Sequence, residues 1–442
     1  MTTIRHTLLA TCLFGSLDAL AGVESTTSAA AIPETPASTA TGLLLGKFTG
    51  ESAYDKMWSA FTLYKDDNNP VLQEFSLQGR FQLQYADGHA DTATGADRHF
   101  DISDVPHTNR DNGIWEDQFE ARRARIGFKS KWFQNWKLEG QINVDLDGED
   151  NSGHNTLYRN IYDLYLTYAP NDAVNVSVGR TKVKFSREQE ISSKEILTFE
   201  RSLVSNFLFP GELTGIWVNG KGIDEHWLYE LGLYGNDQVR EFSNFDAGAI
   251  VLGKIGYDYA TQSGLDTAVA SLHYMHNTDP GYSPMLNPDF SNGTSPAFTD
   301  SIALTNDITQ GRFGLTTEIL YGFGFSGRAE QAGASKLLNQ SDVFGITLIP
   351  SYYIADGLQL VGRLQYATSA DPNGLSLPSR YESRASNTSD GKKGDAYASA
   401  YLGLNYYLYG HKLKLMNGIE YSHLAGGNYD GYTFLSGLRF SF

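Results

Sequence analysis

The sequence has one cysteine and no long apolar run, and these two absences exclude several classes of protein. The cysteine, Cys12, lies near the N-terminus, within a segment that we interpret below as a cleaved leader. An exported chain would therefore have no thiol, no disulfide and no thiolate metal site. Beyond residue 21, no stretch reaches the roughly 20 consecutive apolar residues that a transmembrane helix needs. The sequence thus excludes a helical membrane protein.

Positive charge is also scarce, with 34 Lys and Arg against 51 Asp and Glu and a formal net charge of -17. So acidic a chain is a poor partner for nucleic acid. The sequence lacks a nucleophile elbow or any other catalytic signature, and its acidic residues do not have the spacing of a calcium-binding loop. We therefore expect no enzyme activity, no cofactor, no metal site and no nucleic-acid partner.

The first residues have the features of a secretory signal peptide. A polar start with Arg5 precedes a mostly apolar stretch over 8–17, and Ala19-Leu20-Ala21 matches the pattern of a cleavage site. We predict a signal peptide over 1–21, an exported linker or extension over 22–72 and a β-barrel pore domain over 73–442.

The extension begins as a linker rich in Ala, Thr, Ser and Pro and has no periodicity. Further along it, Trp58, Phe61 and Tyr64 recur at every third position. This spacing fits a short amphipathic helix, and it fits an aromatic-rich approach to a strand equally well.

Aromatic residues and glycine are abundant, with 26 Tyr, 24 Phe and 45 Gly. Such a composition suits β-structure with aromatic girdles at two water–lipid interfaces. From residue 75 onward apolar and polar residues alternate with period 2, which places them on opposite faces of a strand. About 16 such segments follow, most of them about 9 to 11 residues long, the length that a tilted strand needs to cross a bilayer. They start near residues 75, 119, 136, 160, 174, 213, 226, 248, 267, 312, 323, 342, 358, 397, 412 and 432.

The connections between these segments alternate between long and short. The long ones lie near 86–118, 147–159, 185–212, 235–247, 277–311, 331–341, 368–396 and 423–431, and the short ones include 169–173, 321–324, 354–357 and 409–411. Transmembrane barrels have short periplasmic turns and long outer loops, whereas a soluble sandwich has no reason to keep this alternation. The sequence therefore predicts an all-β protein, a transmembrane antiparallel β-barrel of about 16 strands in a bacterial outer membrane.

Basic residues are concentrated in one part of the chain: residues 119–201 carry 13 of the 34 Lys and Arg. In the first strand of this part, Arg123, Arg125 and Lys129 share one face. Because an Arg at the bilayer midplane costs roughly 2–4 kcal/mol, we expect this face to point into the lumen. Arg122 has the opposite parity, and we expect it at the membrane interface, where its long side chain reaches polar surroundings.

Regular parity would place Arg180, Lys182 and Lys184 on the lipid face of the strand that starts at residue 174. A bulge at Gly179 would turn them inward and turn Thr181, Val183 and Phe185 outward; alternatively, the strand has already left the membrane. The third long connection follows with Arg187, Lys194 and Arg201. Third loops of porins often fold into the pore, and basic rings in a constriction favour anions.

The same segments resemble the phosphate-selective porin O and P family. The resemblance rests on residues 119–128, 136–139, 178–185 and 192–202, and it is strongest over 75–220. It departs from the family at Lys184-Phe185, where Pro-Phe is usual. It implies a trimeric 16-stranded barrel whose lumen arginines and constriction lysines select phosphate or other anions. The best candidates for anion contacts are then Arg123, Arg125, Lys182, Lys184 and Arg201.

We therefore expect an outer-membrane porin that passes small anions, with phosphate as the candidate solute, through a water-filled pore. Outer-membrane lipid, lipopolysaccharide and two further copies of the chain are the expected partners. A general or sugar-type porin without anion preference is one alternative, and a non-conducting adhesin or envelope-linking barrel is another. The later strands have few predicted inward basic residues: Arg312, Arg328, Arg363 and Arg439.

Overall fold

The computed structural model describes residues 52–91, 97–100, 119–144, 158–222, 224–236, 241–243, 245, 248–280, 298–331, 334–378, 381–382, 393–427 and 429–442. The predicted signal peptide over 1–21 and the linker that begins at residue 22 lie outside the described residues. Within the described part, no helix is long and apolar enough to cross a membrane.

The described residues form 22 strands and four short helices. The strands are β1 (Thr62–Lys65), β2 (Leu72–Asp91), β3 (Asp97–Phe100), β4 (Phe119–Trp132), β5 (Trp136–Val144), β6 (Tyr158–Asn171), β7 (Val174–Lys182), β8 (Glu212–Lys221), β9 (Trp227–Gly235), β10 (Ala249–Asp258), β11 (Thr267–Asn277), β12 (Asp300–Gln310), β13 (Phe313–Phe323), β14 (Phe325–Gln331), β15 (Ala334–Gln340), β16 (Val343–Ala355), β17 (Leu358–Ser369), β18 (Leu375–Ser376), β19 (Lys393–Gly394), β20 (Ala396–Tyr409), β21 (Leu413–Ala425) and β22 (Tyr429–Ser441). The helices are α1 (Ala53–Ser59), α2 (Arg187–Glu190), α3 (Leu203–Phe207) and α4 (Ala260–Ser263).

Sixteen of the strands pair edge to edge, all antiparallel, and close into a barrel. Around the barrel they run in the order β2, β4, β5, β6, β7, β8, β9, β10, β11, β12, β13, β16, β17, β20, β21, β22. Closure comes from β2, which pairs with β4 along one edge and with β22 along the other. The predicted fold class, an antiparallel transmembrane β-barrel of about 16 strands, is confirmed.

Two predictions for the middle of the chain are wrong: one barrel strand is missed, and one loop segment is predicted as a barrel strand. β12 lies inside the predicted long connection 277–311, because Asn306 interrupts its apolar face and hides the alternation. The segment predicted to start at residue 323 is β14, which pairs with β15 in a separate hairpin of the sixth long connection. Period 2 alone does not distinguish a spanning strand from such a hairpin.

The last long connection, predicted over 423–431, is also wrong. Pairing of β21 with β22 continues to Leu424↔Tyr429, so only residues 426–428 join the two strands. The other long connections include the third loop, residues 183–211, and the seventh loop, residues 370–395, both used below.

The outward faces carry an apolar band between two rows of exposed aromatic side chains. Near the short turns these are Trp136, Tyr168, Trp227, Phe313 and Tyr352, and near the long loops they are Phe119, Tyr158, Tyr274, Tyr421 and Tyr432. Exposed aliphatic side chains such as Val178, Ile216 and Leu402 lie between them. This is the surface of a barrel that crosses a bilayer.

The end of the predicted extension packs on the turn end of the barrel. Trp58 of α1 is buried, its Nε1 donates to the carbonyl oxygen of Ser441 at 2.7 Å, and its ring centroid lies 4.7 Å from that of Tyr409. Phe61 stacks on Phe442 at 4.0 Å, and β1 pairs with the start of β2. Both interpretations of the aromatic spacing therefore hold in part, since a helix leads directly into a strand.

Replacing Trp58 with Ala should release α1 from the barrel. Truncating a buried Trp costs roughly 3–5 kcal/mol, which exceeds what so short a helix gains by itself. Limited proteolysis should then cleave within residues 52–65, while the barrel keeps its heat-modifiable gel migration. The matched control is Met57→Ala, because Met57 is exposed on the same helix. Unchanged protease protection of Trp58→Ala would contradict the docking of α1.

Candidate functional site

The third loop lies inside the barrel, where inward side chains bind its main chain. Lys414 Nζ donates to the carbonyl oxygen of Ile196 at 2.7 Å, and Asn405 Nδ2 donates to that of Leu197 at 2.9 Å. Two arginines donate to carbonyl oxygens further along the loop: Arg439 donates to that of Phe199, and Arg363 donates to that of Glu200. Four strands, β17, β20, β21 and β22, thus hold this part of the loop against one side of the lumen.

The beginning of the third loop is attached to a different part of the wall. The main-chain N–H of Glu188 in α2 donates to Glu318 Oε1 of β13 at 2.7 Å. Glu190 forms an ion pair with Lys254 of β10, and Arg187 donates to Asp307 Oδ2 of β12 at 2.6 Å. The third loop is therefore attached at two parts of the wall and folds into the lumen, as predicted for the third long connection.

Two arginines form the centre of a basic cluster beside this loop. Arg80 of β2 and Arg125 of β4 are paired in register and both face inward. Their guanidinium carbons lie 5.8 and 3.3 Å from the ring centroid of Tyr162. Arg80 also donates to Ser193 Oγ in the third loop, and Arg125 Nε donates to Asn143 Oδ1 at 2.6 Å.

The positive charge of these two arginines is only partly offset by a carboxylate, that of Asp163 on β6, which interacts electrostatically with both without forming an ion pair. In the part of the chain that the structure describes, neither forms an ion pair, and one buried nitrogen of each, Arg80 Nε and Arg125 Nη1, has no hydrogen-bond partner. An unpartnered buried donor is costly. The pair is therefore disposed to accept a passing anion.

Arg123 also faces inward, as predicted, but its charge is partly cancelled. Its Nη1 donates to Gln82 Oε1 at 3.0 Å, and its Nη2 lies 3.4 Å from Glu200 Oε2 in the third loop. Arg122 was expected at the membrane interface, and this is wrong. The pairing of β2 with β4 shifts register here, and Arg122 turns into the lumen and binds Glu200 through Nη2 at 2.9 Å.

The predicted bulge at Gly179 is wrong, because β7 pairs with β8 without a register shift. A Cβ at Gly179 would lie 2.3 Å from the carbonyl oxygen of Leu164, so this glycine serves the close approach of two strands. Arg180 stays on the outward face and donates to the carbonyl oxygens of Ile161 and Glu241. Thr181 faces inward and donates to Asp163.

Strand β7 ends at Lys182, so Val183, Lys184 and Phe185 belong to the third loop. Val183 and Phe185 are fully buried in the interior instead of facing lipid. Lys182 Nζ donates to the carbonyl oxygen of Gln189 at 2.5 Å, and Arg201 donates to the carbonyl oxygens of Glu188 and Ile191. These two predicted anion contacts are thus engaged in shaping the third loop.

The three remaining predicted lysines differ in their surroundings. Lys129 is exposed and is paired in register with Glu139, and Lys184 is exposed at the start of the third loop. Lys194 Nζ donates to the main-chain oxygen of Phe442 at 3.2 Å. Burial, followed by the positive charges of Arg80 and Lys129, lowers the pKa of Lys194 to about 7. Its charge near neutral pH is therefore partial.

Sequence analysis missed Arg80 as a site residue, although the alternation of β2 already placed it on the polar face. Among the later basic residues, Arg363 and Arg439 face inward as predicted. Arg312 is exposed on a short turn near Asp356, so its predicted inward orientation is wrong. The side chain of Arg328 lies outside the described part of the chain.

The chain matches one protein family and several solved structures. The family described as phosphate-selective porin O and P matches residues 92–317, just over half of the chain. No curated protein matches the sequence significantly.

The similar solved structures are bacterial outer-membrane channels. The anion-selective porin from Comamonas acidovorans is 12% identical with a TM-score of 0.50, covering 83% of this chain and 99% of that one. Salmonella typhi OmpF, in complex with daunomycin, has the same identity and TM-score over 86% and 100% of the two chains. The outer membrane channel DcaP of Acinetobacter baumannii is 16% identical with a TM-score of 0.46, over 86% and 100%. The two likenesses with a TM-score of 0.50 show the fold.

Proposed function

Since this chain belongs to the phosphate-selective porin O and P family, a family of outer-membrane channels and not of enzymes, we propose that it passes small anions by passive diffusion. The channel class and the bacterial outer-membrane location follow from the family and the fold. The preference for anions, with phosphate as the candidate solute, is the new part of the proposal.

One observation carries it: Arg80 and Arg125 lie beside the third loop and form no ion pair among the described residues, so that Asp163 only partly offsets their charge. Fixed charges act mainly within a Debye length, about 8 Å at physiological salt. The charge that passing ions meet is therefore set by this cluster and not by the net charge of -17. Lys194 lies near Arg80 and Lys129, so these two lysines add to the positive charge, and Lys184 is exposed at the start of the third loop. Arg123, Lys182, Arg187 and Arg201 fix the loop that narrows the pore.

Planar-bilayer recording of the purified protein tests this function. In a KCl gradient we expect a zero-current potential displaced toward that of chloride, and added phosphate should reduce the chloride current. Conductance without ion preference would favour a general or sugar-type porin. No conductance would favour an adhesin or envelope-linking barrel, and either result would overturn the proposal.

We also propose that the protein assembles as a homotrimer surrounded by outer-membrane lipid and lipopolysaccharide. The family resemblance and the apolar band on the barrel support this. Chemical cross-linking in native membranes should give a ladder that ends at three copies, and a ladder that ends at one copy would contradict it.

A further inference from the structure

Described residues of the seventh loop, those at 375–377 and 381–382, also lie inside the lumen, a feature that nothing in the sequence of the loop indicates. Leu375 and Leu377 are buried in the same hydrophobic cluster as the third loop. Tyr381 and Glu382 are buried too, and both make side-chain hydrogen bonds to the inner wall of the barrel.

Tyr381 and Glu382 bind different parts of this wall. Tyr381 OH accepts a hydrogen bond from Gln84 of β2 and donates to Glu120 of β4 at 2.5 Å. Glu382 Oε1 accepts hydrogen bonds from Tyr397 OH of β20 and Ser422 Oγ of β21, each at 2.7 Å.

The register of the strands places these contacts one layer above those of the third loop. On β2, Gln82 donates to the third loop at Ser193, whereas Gln84 donates to the seventh at Tyr381. Two residues along a strand span roughly 7 Å, and Gln84 lies nearer the long-loop end.

The same offset recurs on β21. Glu420 binds Arg363, which holds the third loop, and Ser422, two residues further toward the long-loop end, binds Glu382. The two loops therefore lie at successive depths in the lumen.

From this layering we propose that the described part of the seventh loop forms a second narrowing of the pore, outside the basic cluster, in which Tyr381 and Glu382 set the size limit of the solute. The proposal rests on the channel function above, but it assigns size selection and charge selection to different layers. The side chains of Tyr381 and Glu382 occupy space in the lumen. The carboxylates in this layer, those of Glu382, Glu120 and Glu420, add no positive charge. Compact hydrated anions would pass this layer, and bulky neutral solutes such as oligosaccharides would be retained.

The test is the double variant Tyr381→Ala/Glu382→Ala in planar bilayers and in liposome swelling. We expect single-channel conductance to rise by roughly half or more and a trisaccharide to enter liposomes that exclude it with the wild-type channel. The preference for anions should persist or increase, because the variant removes a carboxylate and leaves the basic cluster intact. The matched control, Tyr381→Phe/Glu382→Gln, keeps the volume and should keep the wild-type conductance and size limit.

Wild-type conductance and an unchanged size limit in the alanine variant would overturn the proposal. If that variant does not fold, Glu382→Cys provides a second measurement, since the chain beyond residue 12 has no cysteine. A bulky thiol reagent added on the loop side should reduce its current, and an undiminished current after complete labelling would equally overturn it. A channel that widens as expected but lacks anion preference would refute only the proposed anion function.

Discussion

Neutralising Arg80 and Arg125 together, as Arg80→Gln/Arg125→Gln, is expected to lower the ratio of anion to cation permeability by roughly fivefold or more. Each unit charge contributes about 1 kcal/mol to the energy of an ion 4 Å away even at the dielectric constant of water, and about 1.4 kcal/mol corresponds to tenfold. Both side chains face the lumen and lie in register. The measurement is the zero-current potential in a KCl gradient.

The control for this prediction is Arg312→Gln. It removes the same kind of charge from an exposed turn outside the lumen, where salt screens it from the path of the ions. Its permeability ratio should match that of the wild type. Gln retains hydrogen-bonding capacity, so both variants should fold. Equal ratios in the wild type and in Arg80→Gln/Arg125→Gln would refute the role of this pair.

Replacing Arg363 with Met should destabilise the barrel by roughly 3–5 kcal/mol, because it leaves a buried carboxylate without its partner. Arg363 is almost fully buried and donates through Nη2 to both oxygens of Glu420, at 2.7 and 2.9 Å. It also donates to the carbonyl oxygen of Glu200, so the third loop loses an attachment. The free energy of unfolding is measured by urea titration in lipid vesicles.

The double variant Arg363→Met/Glu420→Leu serves as control and should recover most of the lost stability, because removing both charges is often nearly neutral. A single variant as stable as the wild type would contradict the account of this pair.

The stability that the protein loses in Arg363→Met should also depend on pH. Burial, followed by the charge of Glu420, raises the pKa of Glu382 to about 7. A raised carboxyl pKa means that the folded protein binds the proton more tightly, so stability should increase as pH falls from about 8 to 5. Without Arg363 the two carboxylates repel each other more strongly, and we expect a steeper dependence.

The alternation of apolar and polar residues predicts the strands because lipid outside and water inside impose opposite demands on neighbouring side chains. This places 15 of the 16 barrel strands close to their observed starts. The alternation gives the wrong answer at Arg122, because β4 has one extra residue there in its pairing with β2. This extra residue turns the side chain of Arg122 to the face opposite to the predicted one. The alternation fails also at β12, where Asn306 faces the lipid side and weakens the pattern.

The functional residues were predictable in type and only partly in role. Parity identifies Arg123 and Arg125 as inward, but it does not reveal that Arg123 meets Glu200, 77 residues away, while Arg125 forms no ion pair in the described part of the chain. Arg187 likewise finds Asp307 across 120 residues. Which charges remain uncancelled depends on how the third loop packs in the closed barrel, and local sequence does not contain that information. The inward course of the seventh loop is hidden for the same reason.

Anomalous diffraction from crystals soaked in bromide tests most directly whether anions pass the basic cluster, because bromide replaces chloride and can be located individually. We predict bromide peaks in the lumen beside the guanidinium groups of Arg80 and Arg125, and their loss in Arg80→Gln/Arg125→Gln. Bromide bound only outside the barrel, with no peak along the third loop in the wild type, would contradict the account.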